Sequence, residues 1–225
     1  APTTFSGKPK SLYYEQQKER FKQWHNKIKY YILDENDSEL WKMAKNSPNT
    51  RGAAHWQREF VHKESIKKAL THLKDEDIVF VGDCDEIVEP MFYLPEISNR
   101  IIKFKLRVYT YFLNNLSNEI FWGPIRAIYR DIKDSCLNHL RSTDHHKSKE
   151  HNGWHFTSMA PEMRRKLTDS YTKESYATDW VMANLDENIK QNKDFLGREF
   201  TYKVDENDWP RWLKEHRNEY TNLLK

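Results

Sequence analysis

The pattern of apolar and polar positions along the chain predicts a mixed α/β protein. Ile78–Val81 is an apolar run between acidic flanks, which is typical of a strand buried on both faces of a parallel sheet. Alternating, β-branched and aromatic stretches predict further strands over 27–33, 101–112 and 125–129. Helical spacing predicts helices over 12–24, 53–73, 178–191 and 211–224, and one that begins near Pro161. Strands followed by crossover helices indicate an α/β fold with a mixed, mostly parallel sheet flanked by helices.

The stretches between these elements are expected to be surface loops. They cover 1–11, 46–52 and the charged, His-rich segment 139–152. No repeat and no linker rich in Pro, Gly or Ser divides the chain, so a single domain over 1–225 is expected.

The composition narrows the classes of function. The six glycines are too far apart to form a dinucleotide-binding turn, a phosphate-binding P-loop or a hydrolase nucleophile elbow. Lys and Arg total 37 against 34 Asp and Glu, and the net charge of +3 is short of the excess usual in nucleic-acid-binding proteins. Cys84 and Cys136 form no zinc pattern; two free thiols in a reducing compartment are expected, with a single bridge between them as the alternative. No apolar stretch is long enough to span a membrane, and the N-terminus does not resemble a signal peptide.

Asp83 and Asp85 directly follow the predicted buried strand and are the strongest chemical signal in the sequence. In an extended segment, side chains two residues apart point the same way, so both carboxylates are expected at the carboxyl end of a parallel strand. Open α/β sheets bind ligands at that end. Two carboxylates are hard oxygen donors, and they suit Mg²⁺ or Mn²⁺ that also holds a diphosphate. The alternative is a solvated acidic turn.

Three kinds of metal or phosphate site use such carboxylates. An EF-hand requires an oxygen ligand and then a glycine, where this chain has Ile87 and Val88. A phosphatase of the haloacid dehalogenase type usually has a hydroxyl residue at the position of Ile87. A nucleotide-sugar transferase of the GT-A type needs only a strand, the D-x-D pair and a metal-bound diphosphate, so this interpretation remains.

Five segments, in order along the chain, resemble glycosyltransferase family 17. They are TFSGKPKSL at 4–12, WQRE at 56–59, DIVFVGDCDEI at 77–87, GWH at 153–155 and WPRWL at 209–213. The resemblance implies a single GT-A-like catalytic domain over 1–225, and the family's first strand would lie upstream of Thr4. It also implies metal-dependent, inverting transfer of a sugar, with N-acetylglucosamine expected, from a UDP-sugar to an acceptor hydroxyl.

The resemblance further implies roles for individual residues. The implied ligands of Mn²⁺ or Mg²⁺ are Asp83, Asp85 and His155. The implied donor-binding residues are Thr4, Gly7, Lys8, Arg58, Glu59, Asp83 and Trp154. The general base that deprotonates the acceptor is expected among Glu162, Glu174 and Asp179, with Asp179 favoured, while Glu86 adjoins the metal pair. The alternatives are structural: a half-buried His155, a core Trp154, and surface positions for Lys8, Arg58 and Glu59.

Two other functions stay open from the sequence. A phosphohydrolase would use Asp83 as its nucleophile, and a non-catalytic carbohydrate- or nucleic-acid-binding protein would use the aromatic residues, which are 14% of the chain. The expected partners are a nucleotide-sugar donor and a glycan or other hydroxyl acceptor, without a membrane span and without nucleic acid. A cytoplasmic microbial or viral enzyme is favoured, with the Golgi lumen as the alternative.

Overall fold

The structure is a computed structural model that describes residues 1–89, 101–171 and 176–225. The chain divides into two compact units. The first comprises 1–77 and 129–142, and the second comprises 78–128 and 143–225. The prediction of one catalytic domain over 1–225 stays a prediction.

The first unit is built from short helices. Its α-helices are α1 (Tyr13–Gln16), α2 (Ser38–Asn46), α3 (Ala54–Ser65), α4 (Tyr129–Ile132) and α5 (Leu137–Ser142), with 3₁₀ segments at Lys18–Lys27, Pro48–Thr50 and Ile66–Ala69. Helix α2 begins where the Asp37 carboxylate accepts the N–H of Leu40 at 3.2 Å, an N-cap that satisfies one free donor. The core of this unit packs α2 against α3 through Leu33, Leu40, Ala44, Phe60 and Val61.

A buried carboxylate ties α3 to α5. The side chain of Glu64 is fully buried, and its Oε1 accepts the backbone N–H of Asn138 at 2.7 Å and the thiol of Cys136 at 3.2 Å. Its Oε2 lies 3.1 Å from Nζ of Lys67. Because a buried charge is costly unless it is paired, these contacts account for Glu64 as a structural residue.

The second unit is a sheet with helices packed on it. The described strands are β1 (Ile78–Val81), β2 (Glu86–Val88), β3 (Ile102–Thr110), β4 (Asn115–Ser117), β5 (Phe121–Ile128), β6 (His146–Thr157) and β7 (Tyr202–Val204). The helices are α6 (Ala160–Ser170), α7 (Asp179–Lys190) and α8 (Arg211–Glu215), followed by a 3₁₀ segment at Arg217–Leu223. The strands run in the order β1-β5-β3-β4-β7, and β6 pairs with both β3 and β2.

The sheet corrects the prediction of a mostly parallel arrangement. In the described part of the chain, β3 and β6 are the parallel pair and the other pairings are antiparallel. Strand β1 is real, but it lies at the end of the strand order and pairs antiparallel with β5. Its apolar run reflects burial on both faces, since Val79 and Val81 are buried and Ile78 and Phe80 half-buried. Such burial does not require a central position.

Two further predictions were wrong because tertiary pairing outweighed local pattern. The segment 27–33 forms no strand, and the described residues around it offer it no strand partner. The predicted loop 139–152 contains the end of α5 and the first half of β6, because the polar residues from His146 onward pair with β3. Helices α6 and α7 confirm the predictions near Pro161 and over 178–191, and the Thr178 side chain caps α7. Helix α2 had not been predicted.

Three apolar clusters hold the second unit together. Helices α6 and α7 pack through Met163, Leu167, Val181 and Leu185 against Tyr111 and Phe195. The C-terminal segment covers one sheet face through Trp209 and Leu213, which contact Tyr109 and Trp154. A third cluster joins Val88, Phe104 and Leu106, with Phe80 and Phe121 packed against it.

Candidate active site

The D-x-D segment forms a tight turn between β1 and β2. The N–H of Glu86 donates to the carbonyl of Asp83 at 3.0 Å, and the N–H of Asp83 donates to Oε2 of Glu86 at 2.9 Å. The segment is therefore not extended, and the argument that alternation points both aspartates the same way was wrong. The reciprocal hydrogen bonds set the backbone that carries Asp83 and Asp85.

Strand pairing brings Asp85 next to His155. Glu86 lies opposite His155 in the β2–β6 pair, and the N–H of Phe156 donates to the carbonyl of Asp85 at 3.2 Å. As a result, Nε2 of His155 lies 3.5 Å from Oδ2 of Asp85. Because Phe156 pairs in parallel with Tyr109 near the end of β3, this contact sits at the carboxyl ends of the parallel strand pair.

The glycine of the G-W-H segment makes this pairing possible. A Cβ at Gly153 would overlap the carbonyl oxygen of Ile87 and press on the backbone of Val88. Any side chain there would force β2 away from β6. Gly153 therefore supports the site through backbone approach, two residues before His155.

The ring of His155 is held from one side. It stacks on Phe121 with the ring centroids 4.3 Å apart and the planes at 27°. Its Nδ1 is buried and has no hydrogen-bond partner, so the structure leaves Nε2, on the side of Asp85, as the nitrogen with a polar neighbour. The sequence carried no signal for Phe121 as the residue that orients this ring.

Glu86 also belongs to the candidate site, although the sequence indicated only that it adjoins Asp83 and Asp85. A Cβ at Gly123 would lie 2.7 Å from Oε1 of Glu86, so the absence of a side chain at Gly123 leaves room for this carboxylate. The spacing of three residues between Asp83 and Glu86 is the signal that could have predicted the turn.

The charge of Asp85 is set by opposing effects. Partial burial acts to raise the pKa of Asp85, but the neighbouring His155 ring and the positive charge of Lys166 outweigh it and hold the pKa below its usual range. Asp85 is thus ionised at neutral pH, and 36% of its side chain is exposed. An ionised, accessible carboxylate beside an imidazole is able to bind a cation.

The donor set at this site fits a divalent cation that has additional ligands. One carboxylate and one imidazole nitrogen suit Mn²⁺, and a carboxylate alone suits Mg²⁺. Among the residues with described positions, no three His, Cys, Asp or Glu side chains converge to hold a metal ion. A cation held by Asp85 and His155 would therefore complete its shell with other oxygens, such as those of a phosphate ligand.

Trp154 lies in the core. It is 7% exposed, packs with Tyr109, Trp209 and Leu213, and its indole N–H donates to the carbonyl of Asp208. A ring so enclosed offers no open face to a sugar. The structure places Trp154 in the packing role that the sequence had left as the alternative.

In the first unit, the predicted donor-binding residues form a compact loop and a helix start. The N–H of Gly7 donates to the carbonyl of Thr4 at 2.9 Å, and the N–H of Lys8 donates to the Thr4 hydroxyl at 3.0 Å. Arg58 of α3 donates from Nε to the carbonyl of Phe5 at 2.8 Å, which ties this loop to the helix. Glu59 pairs with Lys63 one turn along α3 at 2.7 Å. Donor binding by these residues stays a prediction.

The three candidates for the general base differ in their surroundings and in whether the structure describes them. Glu162 pairs with Arg165 on the exposed side of α6 at 2.6 Å. Asp179 is exposed in the first turn of α7, where a negative charge also favours the helix dipole. Glu174 lies outside the described residues. The assignment of a base stays a prediction.

An acidic turn and a histidine thus meet at the carboxyl ends of the parallel strand pair in a mixed α/β unit. The model of glycosyltransferase family 17 matches residues 1–174, and the chain belongs to this family. It is therefore a glycosyltransferase, similar to N-acetylglucosaminyltransferases, and the family implies a nucleotide-sugar donor and a glycan acceptor. No curated protein and no solved structure matches the chain significantly.

Within 1–89, 101–171 and 176–225, no helix is both long enough and apolar enough to cross a membrane.

Proposed function

We propose that the protein is a metal-dependent, inverting glycosyltransferase with a GT-A-like fold that transfers N-acetylglucosamine from a UDP donor to a hydroxyl of a glycan. The observation that carries the proposal is the contact of Asp85 with His155, 3.5 Å apart, at the carboxyl ends of β3 and β6. Family membership supplies the reaction class, and the acidic turn supplies a place for the diphosphate.

In this proposal Asp85 and His155 hold Mn²⁺ or Mg²⁺, and Asp85 is the dominant ligand. Asp83 would contact either the donor's ribose or, through a water molecule, the cation. The cation, when bound, neutralises the charge that develops on the leaving diphosphate. Glu86 holds the turn through the N–H of Asp83, and Phe121 holds the His155 ring. The chain's residues thus fix the direction in which the two ligands present their donor atoms.

The transfer itself exchanges two bonds at the anomeric carbon. The acceptor oxygen forms a bond to this carbon while the bond to the phosphate oxygen breaks, and UDP leaves with the bonding electrons. A carboxylate takes the proton of the acceptor hydroxyl. Asp179 is our preferred base, ahead of Glu162 and Glu174; its carboxylate is exposed, and it follows the G-W-H segment in the chain.

The test measures release of UDP from UDP-N-acetylglucosamine with Mn²⁺, with Mg²⁺ and with EDTA, in the presence and absence of N-glycan acceptors. We expect cation-dependent release that increases with acceptor, and a glycan product with inverted anomeric configuration. Hydrolysis of p-nitrophenyl phosphate instead would support a phosphohydrolase that uses Asp83 as nucleophile. Binding of UDP without turnover across a panel of UDP-sugars and acceptors would contradict the enzymatic proposal.

A further inference from the structure

Arg126 is a buried cation with no counter-charge among the residues of described position. It lies on β5 and is 6% exposed. Its Nε is buried and has no hydrogen-bond partner, and no ion pair with Arg126 is present in the part of the chain that the structure describes. Other partly buried arginines in this unit are paired: Arg107 with Asp208 at 3.3 Å, and Arg198 with Asp194 at 2.7 Å.

Such a side chain is costly for the folded protein. A guanidinium stays protonated at any pH at which the protein is folded, so it cannot escape the cost of burial by losing its proton. A buried charge is normally retained where a partner of opposite charge is present for at least part of the functional cycle. The residues that the structure describes offer Arg126 no such partner, which points to a ligand in that role.

The register places Arg126 on the same sheet face as the candidate active site. Arg126 lies directly opposite Phe80 in the β1–β5 pair, and residues opposite each other share a face. Phe80 stacks on Phe104, with the ring centroids 5.8 Å apart. Phe80 and Phe121 each pack against the cluster of Val88, Phe104 and Leu106, and Phe121 in turn stacks on His155. One apolar cluster thus connects the neighbour of Arg126 with the ring that stacks on His155.

Strand β5 also runs beside the acidic turn. A Cβ at Gly82, the residue before Asp83, would lie 3.1 Å from Cβ of Pro124, two residues from Arg126. Asp83 lies three positions after Phe80, which corresponds to about 10 Å of extended chain. Because the backbone of Arg126 lies opposite Phe80, its long side chain is near enough to contact a ligand bound at the turn.

We propose that Arg126 binds a phosphate oxyanion. The guanidinium presents parallel N–H donors in a plane, a geometry that matches a phosphate group and gives strong, charge-assisted hydrogen bonds. This inference rests on the proposed function where it assigns the oxyanion to the diphosphate of the nucleotide-sugar donor. Arg126 then offsets charge on the diphosphate from one side, while the acidic turn holds its cation from the other.

The experiment compares Arg126→Met and Arg126→Lys with the full-length wild type, in EDTA so that no cation takes part. Melting temperature and calorimetric affinity are measured with inorganic pyrophosphate and with UDP, and with NaCl at matched ionic strength as control. Arg107→Met is the matched variant, since Arg107 lies on the neighbouring strand and is already paired with Asp208. We expect the affinity of Arg126→Met for pyrophosphate and UDP to fall roughly ten- to hundredfold, the range for a charged hydrogen bond.

The stability of the ligand-free variants separates a binding residue from a structural one. Arg126→Met should melt at or above the wild-type temperature without ligand, because it removes an unpaired buried charge. Arg107→Met should melt lower and keep its affinity for pyrophosphate. Arg126→Lys, which keeps the charge but not the planar fork, should bind with intermediate affinity.

Several results would overturn the inference. One is a wild type that binds neither pyrophosphate nor UDP. Others are unchanged affinity in Arg126→Met, or a failure of both Arg126 variants to fold, since each would make the arginine structural. Equal affinity for UDP and pyrophosphate would refute the assignment to a nucleotide. If pyrophosphate and UDP bind in a way that depends on Arg126 but no UDP-sugar is turned over, the oxyanion site is supported and the proposed function is refuted.

Discussion

Replacing Asp85 with Asn tests whether the acidic turn serves cation binding or folding. The change keeps the shape of the side chain and removes one negative charge. Two unit charges 3.5 Å apart, the distance of Asp85 from His155, interact by roughly 5 kcal/mol at an effective dielectric constant of about 20 and by roughly 1 kcal/mol in water. Because the Asp85 side chain is 36% exposed, the smaller figure applies, and only while His155 is protonated.

The variant should therefore fold almost normally without a cation. A loss of about 1 kcal/mol lowers the melting temperature of a chain of this size by roughly 2–4 °C. Cation binding should suffer far more, because a ligand carboxylate touches the cation directly. We expect the affinity for Mn²⁺ in the presence of UDP to fall about 100-fold or more, which corresponds to roughly 2.7 kcal/mol.

The assay combines calorimetric titration of Mn²⁺ with UDP, turnover of UDP-N-acetylglucosamine, and melting temperature in EDTA. Asp186→Asn is the matched control, since the Asp186 side chain is 79% exposed and pairs with Arg164 rather than with a residue of the turn. Turnover of Asp85→Asn near the wild-type rate would refute the reasoning. So would a drop of about 10 °C or more in the cation-free melting temperature, because Asp85 would then be a structural residue.

Three further predictions follow from the contacts of the second unit. Gly153→Ala should separate β2 from β6 and abolish turnover, with a stability loss of about 3 kcal/mol measured by urea unfolding. Glu86→Ala should weaken Mn²⁺ affinity in the presence of UDP because the N–H of Asp83 loses its acceptor, whereas Glu86→Gln keeps an acceptor oxygen and should retain most of it. Asp194→Asn should cost about 2 kcal/mol. Burial raises the pKa of Asp194 but Arg198 lowers it further, so this stabilisation should be present above about pH 4 and lost as pH falls through the lowered pKa.

Each of these has a control and a contradicting result. Gly52→Ala meets no atom within 4 Å and should cost only about 1 kcal/mol, from its left-handed backbone. A functional Gly153→Ala would mean that the β2–β6 approach is not required. Equal Mn²⁺ affinities for the Gln and Ala variants of Glu86 would show that its hydrogen bond does not hold the turn. A cost of Asp194→Asn that does not change between pH 3 and pH 7 would exclude its charge as the source.

Much of the candidate site was accessible from the sequence, but its arrangement was not. The acidic pair after an apolar run and the G-W-H segment both identified residues that the structure brings together. The interpretation of Asp83 and Asp85 as alternating side chains failed, because hydrogen bonds between Asp83 and Glu86 close a turn there. Phe121 and Arg126 carried no signal, since an aromatic or a charged residue in a strand pattern does not reveal what it faces.

The sequence by itself determined the local elements whose causes are local. The apolar run predicted the strand Ile78–Val81, and Thr178 marked the start of α7, because an apolar pattern and a helix cap are both formed by neighbouring residues in the chain. Only the tertiary structure decided that β1 pairs antiparallel with β5, that polar residues from His146 onward form a strand beside β3, and that His155 meets Asp85. The physical reason is that an apolar run reports only that a strand is buried, whereas its partner and direction are chosen by hydrogen bonds to residues far away in the sequence.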